Sequence, residues 1–561
     1  MTRRRWTLVV AALTCAVLTV TAGAQPAAAA GYVPISGAGS TWSYNAIHAW
    51  QGNVTQYGMV VNYNPVGSTT GRTEFKQGTV DWAASDIPYG VQDGTNFDPP
   101  PTSRGFAYMP DTAGGTVFMY NLKIGTNRVT NLRLSGAVIA GIFTGTITHW
   151  NDAKIAADNP GLTLPAIKIV PVVRSDGSGS TAQFTQWMIA TQGSFWTSYC
   201  RKVGRSPCTQ TSAYPVVPGS GMVAQSGDLG VSGYVSQAQA VGTIGYVEYS
   251  YAIQAGFPVA KVLNSAGYYT EPTPGHVAVA LLKAKINMDS SNPNTYLTQN
   301  LSQVYTNSDP RTYPLSSYSY LVLPTSTDFG FTAAKGLTLG DFGKYLLCQG
   351  QTQVDALGYS ALPINLVEAG FAQLQKIPGA NVPTATSAIV KSCDNPTFST
   401  SGANLLAQND PQPQPCDKKG PTQCTTGTGG SKTSTPGKPG TTGTTTGTTT
   451  GTGTNTGATP SASASVGPGG VIIINGAGST APPCDPDSGT CNNAAGSALN
   501  AGGTQIPGVP TAASTTLGGG MRTALMVLAA VLLVGLCLVP PLIGQSLSGR
   551  RRGNQQRGVH Q

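Results

Sequence analysis

The chain has 561 residues, of which 10% are charged, 71 are glycine and 40 are proline. That is more glycine than one ordinary globular domain carries, and the length fits several segments. The net charge of +9 sits at the ends: eight of the 32 basic residues are Arg3, Arg4, Arg5, Arg522, Arg550, Arg551, Arg552 and Arg557, leaving 24 against 23 acids in between. A nucleic-acid partner needs a basic face on the folded part, so that class is excluded.

Residues 1–30 read as a secretory signal peptide: "MTRRRW", an apolar "TLVVAALTCAVLTV", then small residues ending near Ala30. Cys15 falls inside the apolar run, away from any lipid-attachment pattern. Residues 31–407 have ordinary composition and alternate strand and helix signals. "MVVNYNPV" reads as a strand and "RTEFKQG" as a short helix. "TVDWAASDIP" reads as strand into loop, and "TVFMYNL" as a strand. In "LSGAVIAGIFTG", Leu134, Val138, Ile139 and Ile142 share one helix face. "AIKIVPVV" is a strand, "STAQFTQWMIA" a helix, and "VGTIGYVEYSYA" a glycine-punctuated strand. This alternation predicts an α/β fold with mostly parallel strands.

From residue 408 to 523 the text turns to Gly, Thr, Pro and Ser, which have nothing to bury and predict a disordered tether. Its roughly 115 residues reach on the order of 60 Å. "ALMVLAAVLLVGLCLVPPLIG", residues 524–544, is uncharged and long enough to cross a bilayer. The arginines of residues 545–561 put that tail in the cytoplasm and the binding domain outside. Outside the two membrane segments there are eight cysteines. An even count in an exported chain suggests disulfides, and spacing favours 200–208, 416–424 and 484–491, leaving 348–393. Zinc is the alternative, but no CxxC pair supports it.

Four loops of small residues lie between strands and helices. In "RSDGSGST", Arg174 offers a fork of donors, and Ser178, Gly179 and Ser180 stand at a helix mouth whose free N–H groups and partial positive charge suit an anion. Asp176 is placed to hold the arginine. A plain Ser N-cap with a surface salt bridge is the other way to read the same residues. "SGAGSTWSYNAIHAW" sets Gly37, Gly39, Ser40 and Thr41 before a helix; "NPVGSTTGRTEF" does the same with Gly67, Ser68, Thr69 and Thr70. "AASDIPY" sets Asp86 in a turn after a strand. In open α/β sheets ligands sit beyond the strand carboxyl ends. A carboxylate repels an anion unless the anion has a proton to donate. Asp86 therefore suits hydrogen phosphate and disfavours sulfate.

The sequence resembles the substrate-binding protein of the high-affinity phosphate ABC transporter. The resemblance covers about residues 35 to 385 and rests on "GAGSTW", "VNYNPVGSTTG", "VDWAASDIP", "LSGAVIAGIFTGTITHWNDAKI", "NPGLTLP", "VVRSDGSGST", "GTIGYVEYSYA" and "GYSALPINLVEAGFAQLQKIPG". It implies a two-lobed, periplasmic-binding-protein-like fold of type II that closes on phosphate. It assigns ligand contacts to Thr41, the backbone of Trp42, Ser68, Asp86, Arg174, Ser178, Gly179 and Ser180, with Asp176 orienting the arginine. Trp42 stands where the family often has Phe, Thr69-Thr70 where glycines are common, and Ser180 where Thr is usual. Family members in walled bacteria are often lipid-anchored, whereas here the C-terminal span serves. The implied partners are inorganic phosphate, ABC permease subunits and, through the terminal helix, the membrane; no cofactor or metal is implied. Arsenate has the same proton and nearly the same shape.

Two other classes compete. A serine hydrolase needs a base beside its nucleophile; the folded part offers His48, His149 and His276, and none of these loops carries GxSxG. A cell-surface phosphate sensor or adhesin-like display protein fits the span and tether, but a display protein without a ligand has no need of Arg174, Asp86 and three hydroxyl loops together.

Overall fold

The computed structural model describes residues 31–433 apart from 95, 387–389, 391, 394 and 400, together with the backbone of two paired strands, Ser463–Val466 and Ile472–Asn475. The expected signal peptide, the rest of the expected tether, the apolar segment 524–544, the tail and Cys484 and Cys491 lie outside the described residues. Among the described residues, no helix is long and apolar enough to cross a membrane.

The described chain is built on eight strands: β1 (Ile35–Gly39), β2 (Val61–Asn64), β3 (Trp82–Ser85), β4 (Phe106–Tyr120), β5 (Val170–Arg174), β6 (Val223–Gln225), β7 (Thr243–Glu248) and β8 (Ser316–Pro324). Their order is β6-β5-β7-β4-β8-β3-β1-β2. Within each end of that order the strands run parallel, as the alternation predicts. The antiparallel pairings are those of β4 and β8, and β4 crosses between two lobes. The first half of β4 pairs with β8 in the first lobe and its second half, Thr116 to Tyr120, pairs with β7 in the second. All 15 residues of β4 are buried.

Two features let β4 cross. Pro110, which has no N–H for a ladder, sits where the register with β8 shifts between Tyr318 and Tyr320. Gly114 and Gly115 mark the crossing itself: a Cβ on the first would stand 2.9 Å from the Trp42 ring, and one on the second 2.3 Å from Pro272. The crossing strand is thus stripped of side chains where elements of both lobes press against it.

The short helix read from "RTEFKQG" begins earlier, at Ser68, and runs to Gln77. The "STAQFTQWMIA" helix extends over Gly179–Lys202. "VGTIGYVEYSYA" is a strand only to Glu248. There the glutamate side chain accepts the Ser250 N–H and starts a helix, Tyr249–Gln254, a local cap that overrides strand propensity. Disulfides join 200–208, 348–393 and 416–424.

The expected start of the tether at 408 is corrected. A short helix, Leu405–Asn409, buries Ala407 against Ala278 and Val279. Arg311 Nη1 donates to the carbonyls of Ala407 and Asp410 at 2.9 and 3.0 Å. Beyond it the chain runs as a strap along the second lobe to Thr433. Arg133 Nη1 donates to the carbonyls of Cys416 and Thr422 at 3.1 and 2.9 Å. Asn131 Nδ2 reaches the carbonyl of Cys424 at 2.6 Å, and Lys261 pairs with Asp417 at 2.7 Å. Thr428 N donates to the Thr130 carbonyl at 3.0 Å. Low hydrophobicity does not prevent order here, because the strap is held through its backbone by buried donors. A fragment of residues 31–407 is therefore expected to be less stable than 31–433 by on the order of 2 kcal/mol or more, given about 1 kcal/mol for each such bond. Urea denaturation of the two fragments checks this; equal midpoints would mean the strap only rests on the surface.

Candidate functional site

Each expected loop leaves the end of a strand in the interior and meets the others where the lobes face. From the first lobe come Ser40 and Thr41 after β1, Ser68 at the start of its helix, and Asp86 after β3. From the second come Arg174 at the end of β5, Asp176, and the mouth of the Gly179–Lys202 helix. Thr41, Ser68, Asp86, Arg174, Ser178 and Ser180 are all buried.

Arg174 is 2% exposed, and its fork is held on three sides. Nε donates to Asp176 Oδ1 at 2.8 Å, and Nη2 to Asp176 Oδ2 at 2.5 Å. Nη2 also donates to Thr41 Oγ1 at 2.8 Å, across the cleft. Nη1 donates to Asp228 Oδ2 at 2.5 Å. Burial opposes the guanidinium charge, but Asp228 and Asp176 outweigh it and the pKa is raised. Burial likewise raises Asp176, yet its bonds to Arg174 leave it below the ordinary carboxylate value.

Asp86 is the second centre. Its Oδ1 accepts from Ser40 Oγ at 2.6 Å and from Ser319 Oγ at 3.1 Å; its Oδ2 accepts from Ser68 Oγ at 3.2 Å. Burial pushes its pKa up to about 6, against the pull of those hydroxyls. Behind it on β4 lies Asp111, fully buried, with Oδ2 unpartnered among the described residues and its pKa pushed by burial up to about 8.

The lobes meet at close range. Thr69 N donates to the Gly177 carbonyl at 3.0 Å, Gln183 Nε2 to the Asp86 carbonyl at 2.9 Å, and Tyr251 Oη to the Thr41 carbonyl at 2.6 Å. At the rim, Asp93 of the first lobe accepts from Arg205 Nη2 at 2.5 Å and from the N and Oγ of Ser212 at 2.8 and 2.9 Å. Gly179 fits only because it has no side chain: a Cβ there would lie 2.5 Å from Asp86 Oδ2 and 2.6 Å from Ser68 Oγ.

Not every expected residue faces the junction with its side chain. The Trp42 ring wedges against the crossing strand, its Nε1 donating to Thr116 Oγ1 at 3.2 Å, while its backbone N donates to Ser40 Oγ at 3.1 Å. Ser178 Oγ accepts from Thr181 N at 3.2 Å, an N-cap. Ser180 Oγ and Thr69 Oγ1 are buried without a hydrogen-bond partner among the described residues, two hydroxyls placed to serve an anion. Asp228, Ser319 and Asp111 were missed. For Asp228 a signal existed: "VAQSGDLGVSGYV" repeats the pattern of strand, small residues and helix.

A family model described as the PBP superfamily domain matches residues 22–349. The phosphate-binding protein PstS of Xylella fastidiosa (strain Temecula1) is 34% identical over 338 residues, covering 60% of this chain and 83% of that one. The chain belongs to the PstS family of phosphate-binding proteins within that superfamily. PstS of Methanocaldococcus jannaschii is 27% identical over 344 residues, covering 59% of this chain and 83% of its own, and PstS 2 of Mycobacterium tuberculosis (H37Rv) is 28% identical over 310 residues, covering 54% and 76%.

Two outcomes follow from the packing of this PstS-family cleft. Gly179→Ala is expected to hold the lobes apart, giving a larger radius of gyration in small-angle scattering than wild type; an unchanged radius would mean the contact yields without opening. For Asp111 the folded pKa lies above the unfolded one, so its contribution is full below about 4 and is lost as pH rises through about 8. Asp111→Asn is expected to flatten the fall in stability between those pH values, read by urea denaturation across that range.

Proposed function

We propose that this protein is an extracellular, membrane-anchored solute-binding protein that captures inorganic phosphate between its lobes for delivery to an ABC importer, and that it catalyses no reaction on it. The observation that carries this is that Arg174 from one lobe and Asp86 from the other are both buried where the lobes meet. The guanidinium, the helix-mouth amides of Gly179 and Ser180, and the hydroxyls of Thr41, Ser68 and Ser180 suit the oxygens of a tetrahedral anion. Asp86 suits a ligand that still carries a proton. Sulfate would set an oxygen lone pair against the carboxylate, a repulsive device of selectivity. Contacts from both lobes make the ligand favour the closed form over the open one. The signal peptide, the apolar segment 524–544 and the tail complete the anchored reading. From Thr433 to that segment about 90 residues remain.

Calorimetry on residues 31–433 tests it. Phosphate is expected to bind at micromolar or tighter affinity at pH 7, with no heat from sulfate. Arg174→Ala is expected to weaken binding at least about 100-fold, since it strips a buried charge from its partners. Asp86→Asn is expected to narrow the gap between phosphate and sulfate at least about tenfold, because an amide donates where the carboxylate repelled. The same narrowing is expected in wild type below pH about 6, where Asp86 takes up a proton. Absence of phosphate heat would remove the proposal; unchanged selectivity in Asp86→Asn would remove the role given to that carboxylate.

A further inference from the structure

Asp228 is an acid that the phosphate reading does not require. It opens the helix Gly227–Val235 and is 0% exposed. Its Oδ2 accepts from Thr41 Oγ1 and from Arg174 Nη1, each at 2.5 Å, and its Oδ1 accepts from Glu248 N at 2.8 Å. Its own N–H donates to Thr41 Oγ1 at 3.2 Å. It therefore touches both the cation of the cleft and the hydroxyl that bridges the lobes.

We propose that Asp228 makes this cleft select the singly charged form of its anion, dihydrogen phosphate, over the doubly charged hydrogen phosphate. The inference rests on the phosphate reading and specifies its ligand.

The donor count supports it. A guanidinium has five N–H groups. Asp176 takes two of those on Arg174, Thr41 one and Asp228 one, leaving one on Nη1. The Thr41 hydroxyl has a single proton, and Asp228 has claimed it. The two strongest donors expected for an anion are thus largely committed to carboxylates before a ligand arrives.

The charge count agrees. Around Asp228 stand Arg174 and Asp176 from the end of β5, Asp86 from the turn after β3, Glu248 from the end of β7 and Tyr251 from the following helix. Of these Arg174 alone is a cation. Burial, with the Asp228 charge adding to it, holds the Glu248 carboxyl well above the ordinary carboxylate range. The field is one guanidinium against the acids Asp176, Asp228 and Asp86, with Glu248 adding no cation. In a dry junction a second ligand charge meets uncompensated repulsion. A ligand with two protons carries less charge and has a proton for more than one acceptor.

The test is the pH profile of phosphate affinity, by calorimetry on the full chain in detergent from pH 6 to 8.5, for wild type and Asp228→Asn. If only the monoanion binds, apparent affinity is reduced by its shrinking fraction, about tenfold per pH unit above the second ionisation of phosphate near neutrality. Wild type is expected to follow that slope. Asp228→Asn is expected to change less than about threefold between pH 7 and 8.5, because the cleft then accepts the dianion. Wild-type affinity that holds or rises from pH 7 to 8.5 overturns the proposal, and this arm decides even if the variant fails to fold. A folded Asp228→Asn with the wild-type slope, or with no binding at any pH, also overturns it and leaves Asp228 a brace. Wild-type chain that gives no phosphate heat at any pH removes instead the phosphate reading on which the inference stands.

Discussion

The arrangement depends on one buried cation. Arg174 is out of water and must be compensated within hydrogen-bond reach, because an isolated buried charge is untenable. Its partners come from three places: Asp176 two residues along the same loop, Asp228 at the mouth of another second-lobe helix, and Thr41 in the opposite lobe. Satisfying the guanidinium therefore draws the two lobes together. Closure, the orientation of the fork and the charge of the cleft are consequences of the same set of bonds.

A second constraint lies behind it. β4 crosses between the lobes with no exposed residue, and it carries Asp111 where Ser319 and Asp86 also gather. Two acids close together in a dry setting resist ionising together. The direction of both shifts is upward, so the cleft around neutral pH holds less negative charge than its acids formally allow. Glycine at 114 and 115 keeps the crossing free of side chains that would jam against Trp42 and Pro272. The polar network and the steric relief thus meet on one strand.

The strap from Leu405 to Thr433 shows how a segment of low hydrophobicity becomes ordered. Its anchors are main-chain carbonyls facing Arg133, Asn131 and Arg311 and a main-chain amide facing Thr130, with the 416–424 disulfide closing the turn between them. Composition registers side chains that can be buried; it does not register a backbone that meets waiting donors. The strap packs on the second lobe.

Much was legible from residue order alone. Strands followed by Gly, Ser and Thr and then by helices placed the loops at strand ends, and Thr41, Ser68, Asp86, Arg174 and Asp176 do converge there, because local propensity and the parallel α/β connection leave few other positions for them. The close-spaced cysteines at 200–208 and 416–424 likewise needed only chain proximity. Tertiary structure decided what depends on distant residues meeting: that Asp228, 54 positions after Arg174, shares its guanidinium; that Asp111 and Ser319 stand behind Asp86; and that the strap is folded. These are contacts across the chain, set by packing, and neither composition nor periodicity encodes which buried donor reaches which acceptor.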